Sequence, residues 1–122
     1  MIMIQFGHQN LYVSDLEQSI HFYEQRFGMK VIKRLQLEGK EKMAWLGYGG
    51  AHDFFLELSE GHVVCGTQHI AFVTDERDLF HQKHQDIIDT EIRDLGIYFV
   101  HDPDGNSIEV MPVSAVDALA NM

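Results

Sequence analysis

The chain has 122 residues, 45% apolar and 23% charged, which suits one compact domain or two small packed modules and leaves no apolar run long enough to span a membrane. Its net charge of −10 argues against non-specific nucleic-acid binding, which depends on Lys and Arg neutralising phosphates. The single cysteine, Cys65, excludes an internal disulfide and reads as an inert thiol in a reducing compartment.

Met1 to Phe6 is apolar but carries no basic leader and no cleavage site, so no signal peptide and a cytoplasmic location are expected. Phe6 to Val13 alternates as a strand. Ser14 or Asp15 offers a helix N-cap, and Leu16, Ile20, Tyr23 and Phe27 follow at helical spacing until Gly28 stops the helix. Lys30 to Leu37 reads as a strand, Glu38 to Lys40 as a turn, Met43 to Tyr48 as a strand, Gly49-Gly50 as a turn and Asp53 to Leu58 as a strand. The order is βαβββ. The second half repeats it: a strand over Thr67 to Val73, a cap at Thr74 or Asp75, a helix over Arg77 to Lys83, and strands over Ile87 to Ile92 and Gly96 to His101. Asp102-Pro103-Asp104-Gly105 is a strong turn before a last strand over Asn106 to Met111, with a short helix over Ser114 to Ala120.

The two halves correspond residue by residue. His8 precedes Leu11, Val13, Ser14 and Asp15, as His69 precedes Phe72, Val73, Thr74 and Asp75. Each half ends in an apolar-Glu-apolar strand, Leu56-Glu57-Leu58 and Ile108-Glu109-Val110. A period of about half the chain indicates a duplicated module, and one βαβββ unit with a single helix needs a partner to cover its sheet.

Side chains alternate faces along a strand. Leu11, Val13, Phe54, Leu56 and Leu58 are expected on the helix side of the first module. His8, Asn10, Tyr12, Phe55, Glu57 and Ser59 are expected opposite. In the second module Ile70, Phe72, Ile108 and Val110 face the helix, leaving His69, Ala71, Val73, Ser107, Glu109 and Met111 opposite. A glutamate in mid-strand is costly unless it is paired or bound to metal. His8, Glu57, His69 and Glu109 therefore form a candidate ligand set of two imidazoles and two carboxylates on one side of their sheets. Such mixed ligation suits Ni, Zn, Co, Mn or Fe with room for waters. The remaining histidines lack this symmetry. His21, His52, His62, His81 and His84 read as surface or structural residues, with His101 beside the Asp102 turn less clear-cut. Lys30, Lys33 and Arg34 form a small basic edge that reads as solvated.

The paired βαβββ plan, Val13-Ser14-Asp15-Leu16, Ser19-Ile20-His21-Phe22-Tyr23, Phe27-Gly28-Met29-Lys30 and Asp102-Pro103-Asp104-Gly105-Asn106 before Glu109 resemble the vicinal-oxygen-chelate superfamily over about residues 4 to 112. The resemblance implies an α+β fold: two paired βαβββ modules, about 4–59 and 67–112, forming one domain over 1–122 with a curled mixed sheet and helices outside. His and Glu from each module resemble glyoxalase I (lactoylglutathione lyase). Extradiol dioxygenases and fosfomycin-resistance enzymes generally lack a ligand at the position of Glu57, and bleomycin-binding members lack the metal set. The implied activity is a carbon–sulfur lyase acting on the thiol adduct of a 2-oxoaldehyde, with proton transfer through a metal-stabilised enediolate. Glu109 is the first choice as base and Glu57 the second. Nickel or zinc stands first among the metals, with cobalt, manganese or iron admissible. The resemblance also implies a homodimer with sites across the interface, a small-molecule substrate, and no nucleic-acid or membrane partner. Glutathione-dependent members carry an Arg near the end of the first strand where this chain has Tyr12, so the thiol is left open. Rival readings are an epimerase, dioxygenase or thiol transferase on the same metal, or a drug-binding protein with an aromatic cleft of Tyr12, Trp45, Tyr48, Phe55 and Tyr98.

Overall fold

The computed structural model describes residues 7–36, 39, 41–49, 54–64 and 69–122. Phe6, Leu37, Glu38, Lys40, Gly50, His52, Asp53, Cys65 and Thr67 lie outside the described residues. The chain divides into two units, Met1–Val64 and Cys65–Met122, each carrying one sheet.

In the first unit the order is β1 (Gln9–Val13), α1 (Leu16–Phe27), β2 (Lys30–Gln36), β3 (Lys42–Gly47) and β4 (Phe54–Glu60). The sheet runs β1-β4-β3-β2, with β1 parallel to β4 and the other pairs antiparallel. Helix α1 starts where the sequence places it: the Asp15 side chain accepts from Gln18 N at 3.1 Å, and Glu60 Oε2 accepts from Leu16 N at 2.9 Å. Both carboxylates satisfy amides that the first helical turn leaves free and oppose the positive helix end. Leu16, Ile20, Tyr23 and Phe27 are buried with Val13, Leu46, Leu56 and Leu58 of the sheet. Each such side chain contributes about 1.5–3 kcal/mol relative to its exposed state. Gly28 closes the helix at φ +67°, with Gly28 N bonding Glu24 O at 3.1 Å and Met29 N bonding Tyr23 O at 3.3 Å. That pattern is a Schellman stop, which needs a left-handed residue.

The second unit repeats the order: β5 (His69–Thr74), α2 (Arg77–Lys83), β6 (Ile88–Ile92), β7 (Ile97–His101) and β8 (Ser107–Pro112), then α3 (Val113–Ala120). Its sheet runs β5-β8-β7-β6, again with the first pair parallel. The cap of α2 differs from expectation. Glu76, not Thr74 or Asp75, is the N-cap and makes no side-chain cap bond, while Thr74 Oγ1 accepts from Glu76 N at 2.9 Å. The Thr hydroxyl thus holds the turn before the helix instead of the helix itself. Helix α2 buries no residue fully and is held by polar contacts. Arg77 Nε donates to Gly96 O at 2.9 Å, His81 Nε2 pairs with Glu91 Oε1 at 2.9 Å, and buried His84 Nδ1 meets Tyr98 Oη at 2.8 Å. His81 and His84 are thus structural, as expected. The Asp102 turn is held by its own buried carboxylate, which accepts from Asp104 N, Asn106 N and Asn106 Nδ2 at 2.8–3.0 Å. No helix among the described residues is long and apolar enough to cross a membrane.

Candidate metal-ligand faces

Each sheet has one face covered by helix and one face open. The register across the open face of the first sheet aligns Asn10 with Glu57 and Glu57 with Trp45, which in turn pairs with Lys33. On the second sheet Ala71 aligns with Glu109 and Glu109 with Phe99, next to Thr90. Glu57 and Glu109 therefore hold equivalent lattice positions, as the duplication requires. Their side chains are 17% and 14% exposed, between core and surface.

A histidine stands beside each glutamate. His8 Nε2 is 3.6 Å from Glu57 Oε1, and His69 Nε2 is 3.1 Å from Glu109 Oε1. Two donors bound to one ion at about 2.0–2.2 Å, at tetrahedral or octahedral angles, stand about 2.8–3.6 Å apart. The second pair falls within that range and the first stands at its edge. An imidazole nitrogen and a carboxylate oxygen also form the mixed donor set that borderline divalent metals accept. Each His–Glu pair thus has the donor chemistry and spacing of two ligands to a divalent ion. Within either unit, among the described residues, no group of three or more His, Cys, Asp and Glu side chains gathers around a common point.

The surroundings of the two pairs differ. Glu57 accepts from Asn10 Nδ2 on Oε1 and from Trp45 Nε1 on Oε2, both at 2.9 Å. Asn10 Nδ2 also donates to Ser59 Oγ at 2.9 Å. The Trp45 ring lies flat on Phe54, with centroids 4.1 Å apart and 1° between planes. Phe54 in turn stacks on His8 at 5.3 Å. In the second unit Ala71 and Phe99, which offer no side-chain donor, replace Asn10 and Trp45 around Glu109. His69 meets the Phe99 ring edge-on at 5.6 Å.

Phe54 on the open face is a correction to strict alternation. The β3–β4 register jumps from Leu46 opposite Leu56 to Gly47 opposite Phe54, leaving Phe55 as an extra residue. Such a bulge reverses the parity of what precedes it. Phe54 accordingly turns to Trp45 and His8. Phe55 turns to Tyr48, whose hydroxyl donates to Phe27 O at the end of α1 at 2.7 Å. The expected aromatic cleft is corrected with it. Tyr48 and Phe55 belong to the helix side, and Tyr98 is fully buried against His81, His84 and Arg77 of the α2 segment. Of that expected set, Tyr12 and Trp45 remain on the open face, and Phe54 and Phe99 join them. The open-face sign of Phe99 was available in its register partner, Glu109, but not in its own sequence neighbourhood.

Other candidates settle into ordinary roles. Tyr12 is 45% exposed and donates to Glu41 Oε1 at 3.2 Å. Arg34 leaves the basic edge to pair with Glu17 of α1 at 2.6 and 3.0 Å. His101 Nδ1 meets Asp89 Oδ1 at 2.9 Å in an exposed pair.

The chain is similar in sequence and fold to known proteins. Residues 5–110 match the profile of the Glyoxalase/Bleomycin resistance protein/Dioxygenase superfamily. A lactoylglutathione lyase of Neisseria meningitidis is 30% identical over 126 aligned positions, covering 90% of this chain and 91% of that protein. The trypanothione-dependent glyoxalase I of Leishmania major superposes with a TM-score of 0.81 at 30% identity, covering 98% of this chain and 94% of that one. The fosfomycin resistance protein FosX of Listeria monocytogenes shares the fold, with a TM-score of 0.73 at 18% identity over 90% of this chain and 93% of that one. With a duplicated βαβββ order, a His–Glu pair on each open face and a family match over nearly its whole length, the chain belongs to the Glyoxalase/Bleomycin resistance protein/Dioxygenase superfamily.

Proposed function

We propose that this protein is a metal-dependent lyase of the glyoxalase I type, acting on the thiol adduct of a 2-oxoaldehyde. One observation carries the reading: each unit presents a His–Glu pair on its open face, with Nε2–Oε1 separations of 3.6 Å and 3.1 Å. A pair supplies two donors, whereas open catalytic sites use about three protein ligands and closed ones four. A complete site therefore needs the pairs of two modules, His8 and Glu57 with His69 and Glu109. The two modules are read as one domain whose site is completed in a homodimer. The similarity to a lactoylglutathione lyase and to a glyoxalase I at 30% identity supports the same chemistry.

A divalent ion there, nickel or zinc first, would supply Lewis-acid polarisation of the substrate's two neighbouring oxygens. The protein residues do the rest. Glu109, free of side-chain donors other than His69 among the described residues, takes the proton from the hydroxyl-bearing carbon and returns it to the adjacent carbonyl carbon. The hydroxyl proton moves to the former carbonyl oxygen, so the hemithioacetal becomes an α-hydroxythioester and no oxidant is needed. His8 and His69 hold imidazole nitrogens toward the site. Tyr12 with Glu41 lines the same face of the first sheet, where a thiol carrying a cationic group is better matched than one presenting carboxylates.

The test is metal analysis of the purified protein, then turnover of methylglyoxal with several thiols after nickel or zinc loading. Stoichiometric metal and thiol-dependent turnover are expected. A protein that takes up no divalent metal, or one that is metal-loaded but inert with every adduct, overturns the lyase assignment.

A further inference from the structure

The two glutamates occupy equivalent places in the repeat, yet among the described residues only Glu57 is clamped. Glu57 has a hydrogen bond on each carboxylate oxygen, from Asn10 and from Trp45, both at 2.9 Å. Hydrogen bonds to an ionised acceptor are about twice as strong as neutral ones. Asn10 cannot turn away, because its amide also donates to buried Ser59. Trp45 cannot turn away either, because its ring is stacked face to face on Phe54. Each carboxylate oxygen has two acceptor sites, so this clamp still leaves one on each for a metal. The equivalent positions around Glu109 are Ala71 and Phe99, which donate nothing from their side chains.

We propose that Asn10 and Trp45 are positioning residues that hold Glu57 as a fixed ligand. The proposal rests on the ligand reading given above. It goes beyond that reading by assigning work to two residues outside the four-residue ligand set. Donors behind a ligand fix its rotamer and lower the ordering cost of binding, and their loss typically weakens metal binding by about 10–100-fold. The duplicated modules have thus diverged in function at two cross-strand positions while keeping the same ligand types.

The test uses the full chain, first metal-free and then titrated with zinc against a chromophoric chelator. Trp45→Phe keeps an aromatic ring against Phe54 and removes the indole N–H together with part of the stacked ring area. Its zinc Kd should rise by about tenfold in a metal-free protein that still unfolds cooperatively on heating. Asn10→Leu, which keeps side-chain size and removes both donors, should act in the same direction. Glu57→Gln tests the site itself. If Glu57→Gln leaves zinc binding unchanged, the ligand reading falls and the clamp falls with it. If Glu57→Gln weakens zinc binding but Trp45→Phe and Asn10→Leu bind as tightly as the wild type, the clamp alone is overturned. A second readout needs no metal. Trp45 is the sole tryptophan, so the protein has one indole N–H resonance. That proton should exchange slowly and shift toward its solvent-exposed position in Glu57→Ala; an indole signal that Glu57→Ala leaves in place refutes the hydrogen bond on which the proposal stands.

Discussion

Replacing Glu109 by Gln separates the chemistry of the site from the stability of the sheet that carries it. The side chain is 14% exposed, and its contact among the described residues is His69 Nε2 at 3.1 Å. His69 is itself 44% exposed, so the pair is open to solvent and its loss costs about 0–1 kcal/mol of stability. The neutral amide keeps the shape and leaves no buried charge unpaired. For a unit of this size that corresponds to a fall in melting temperature of at most about 4–8 °C. Truncating a core residue on the equivalent module, Leu58→Ala, should cost about 2–5 kcal/mol instead. Turnover should respond in the opposite proportion. Removing a general base lowers the rate by about 10²–10⁴-fold, which is about 3–5 kcal/mol of lost transition-state stabilisation. The assay pairs thermal denaturation of the metal-free variant with turnover of the methylglyoxal–thiol adduct by the loaded one. Undiminished turnover removes Glu109 from the role. A melting temperature as low as that of Leu58→Ala shows instead that Glu109 is a structural residue and that its partial exposure has been misjudged.

Other expectations follow from single contacts. Gly28→Ala should cost about 1 kcal/mol, because an added Cβ meets nothing within 4 Å and only the left-handed φ of +67° penalises it; an unchanged denaturation midpoint argues that the helix stop is not what it appears. Ser19 Oγ is buried without a hydrogen-bond partner among the described residues, so Ser19→Ala should raise stability by about 1 kcal/mol, and a destabilised variant would reveal a partner for that hydroxyl. Burial pushes the Tyr98 hydroxyl above its ordinary value, with Arg77 opposing, and pushes Tyr48 up to about 12. The unfolded chain releases these protons near pH 10 while the folded chain retains them, so this contribution is intact below about pH 10 and is lost as pH rises through the folded-state values. Urea midpoints that stay level across that alkaline range would contradict the burial of both hydroxyls.

Much of the fold was legible because its signals are local. The Asp15 cap, the Leu16-Ile20-Tyr23-Phe27 stripe and the Gly28 stop act within one helix, and each is found where the residues put it. The Asp102 turn is held by a side chain inside the turn itself. The cap of α2 was misread because Thr74 can serve a turn or a helix start with the same hydroxyl, and only the backbone path chooses between them.

Alternation and duplication in the sequence were enough to put a glutamate on the last strand of each module and a histidine at the head of the first, although His8 lies one residue before β1 while His69 begins β5. Which aromatic rings join them depended on register between strands distant in the chain. The extra residue at Phe55 is set by how β4 lies against β3, and it moves Phe54 to the open face and Phe55 to the helix side. The same cross-strand alignment brings Asn10 and Trp45 onto Glu57, and Ala71 and Phe99 onto Glu109. Residue types were written in the linear order; which donor meets which carboxylate was decided by hydrogen-bonded pairing across the sheet.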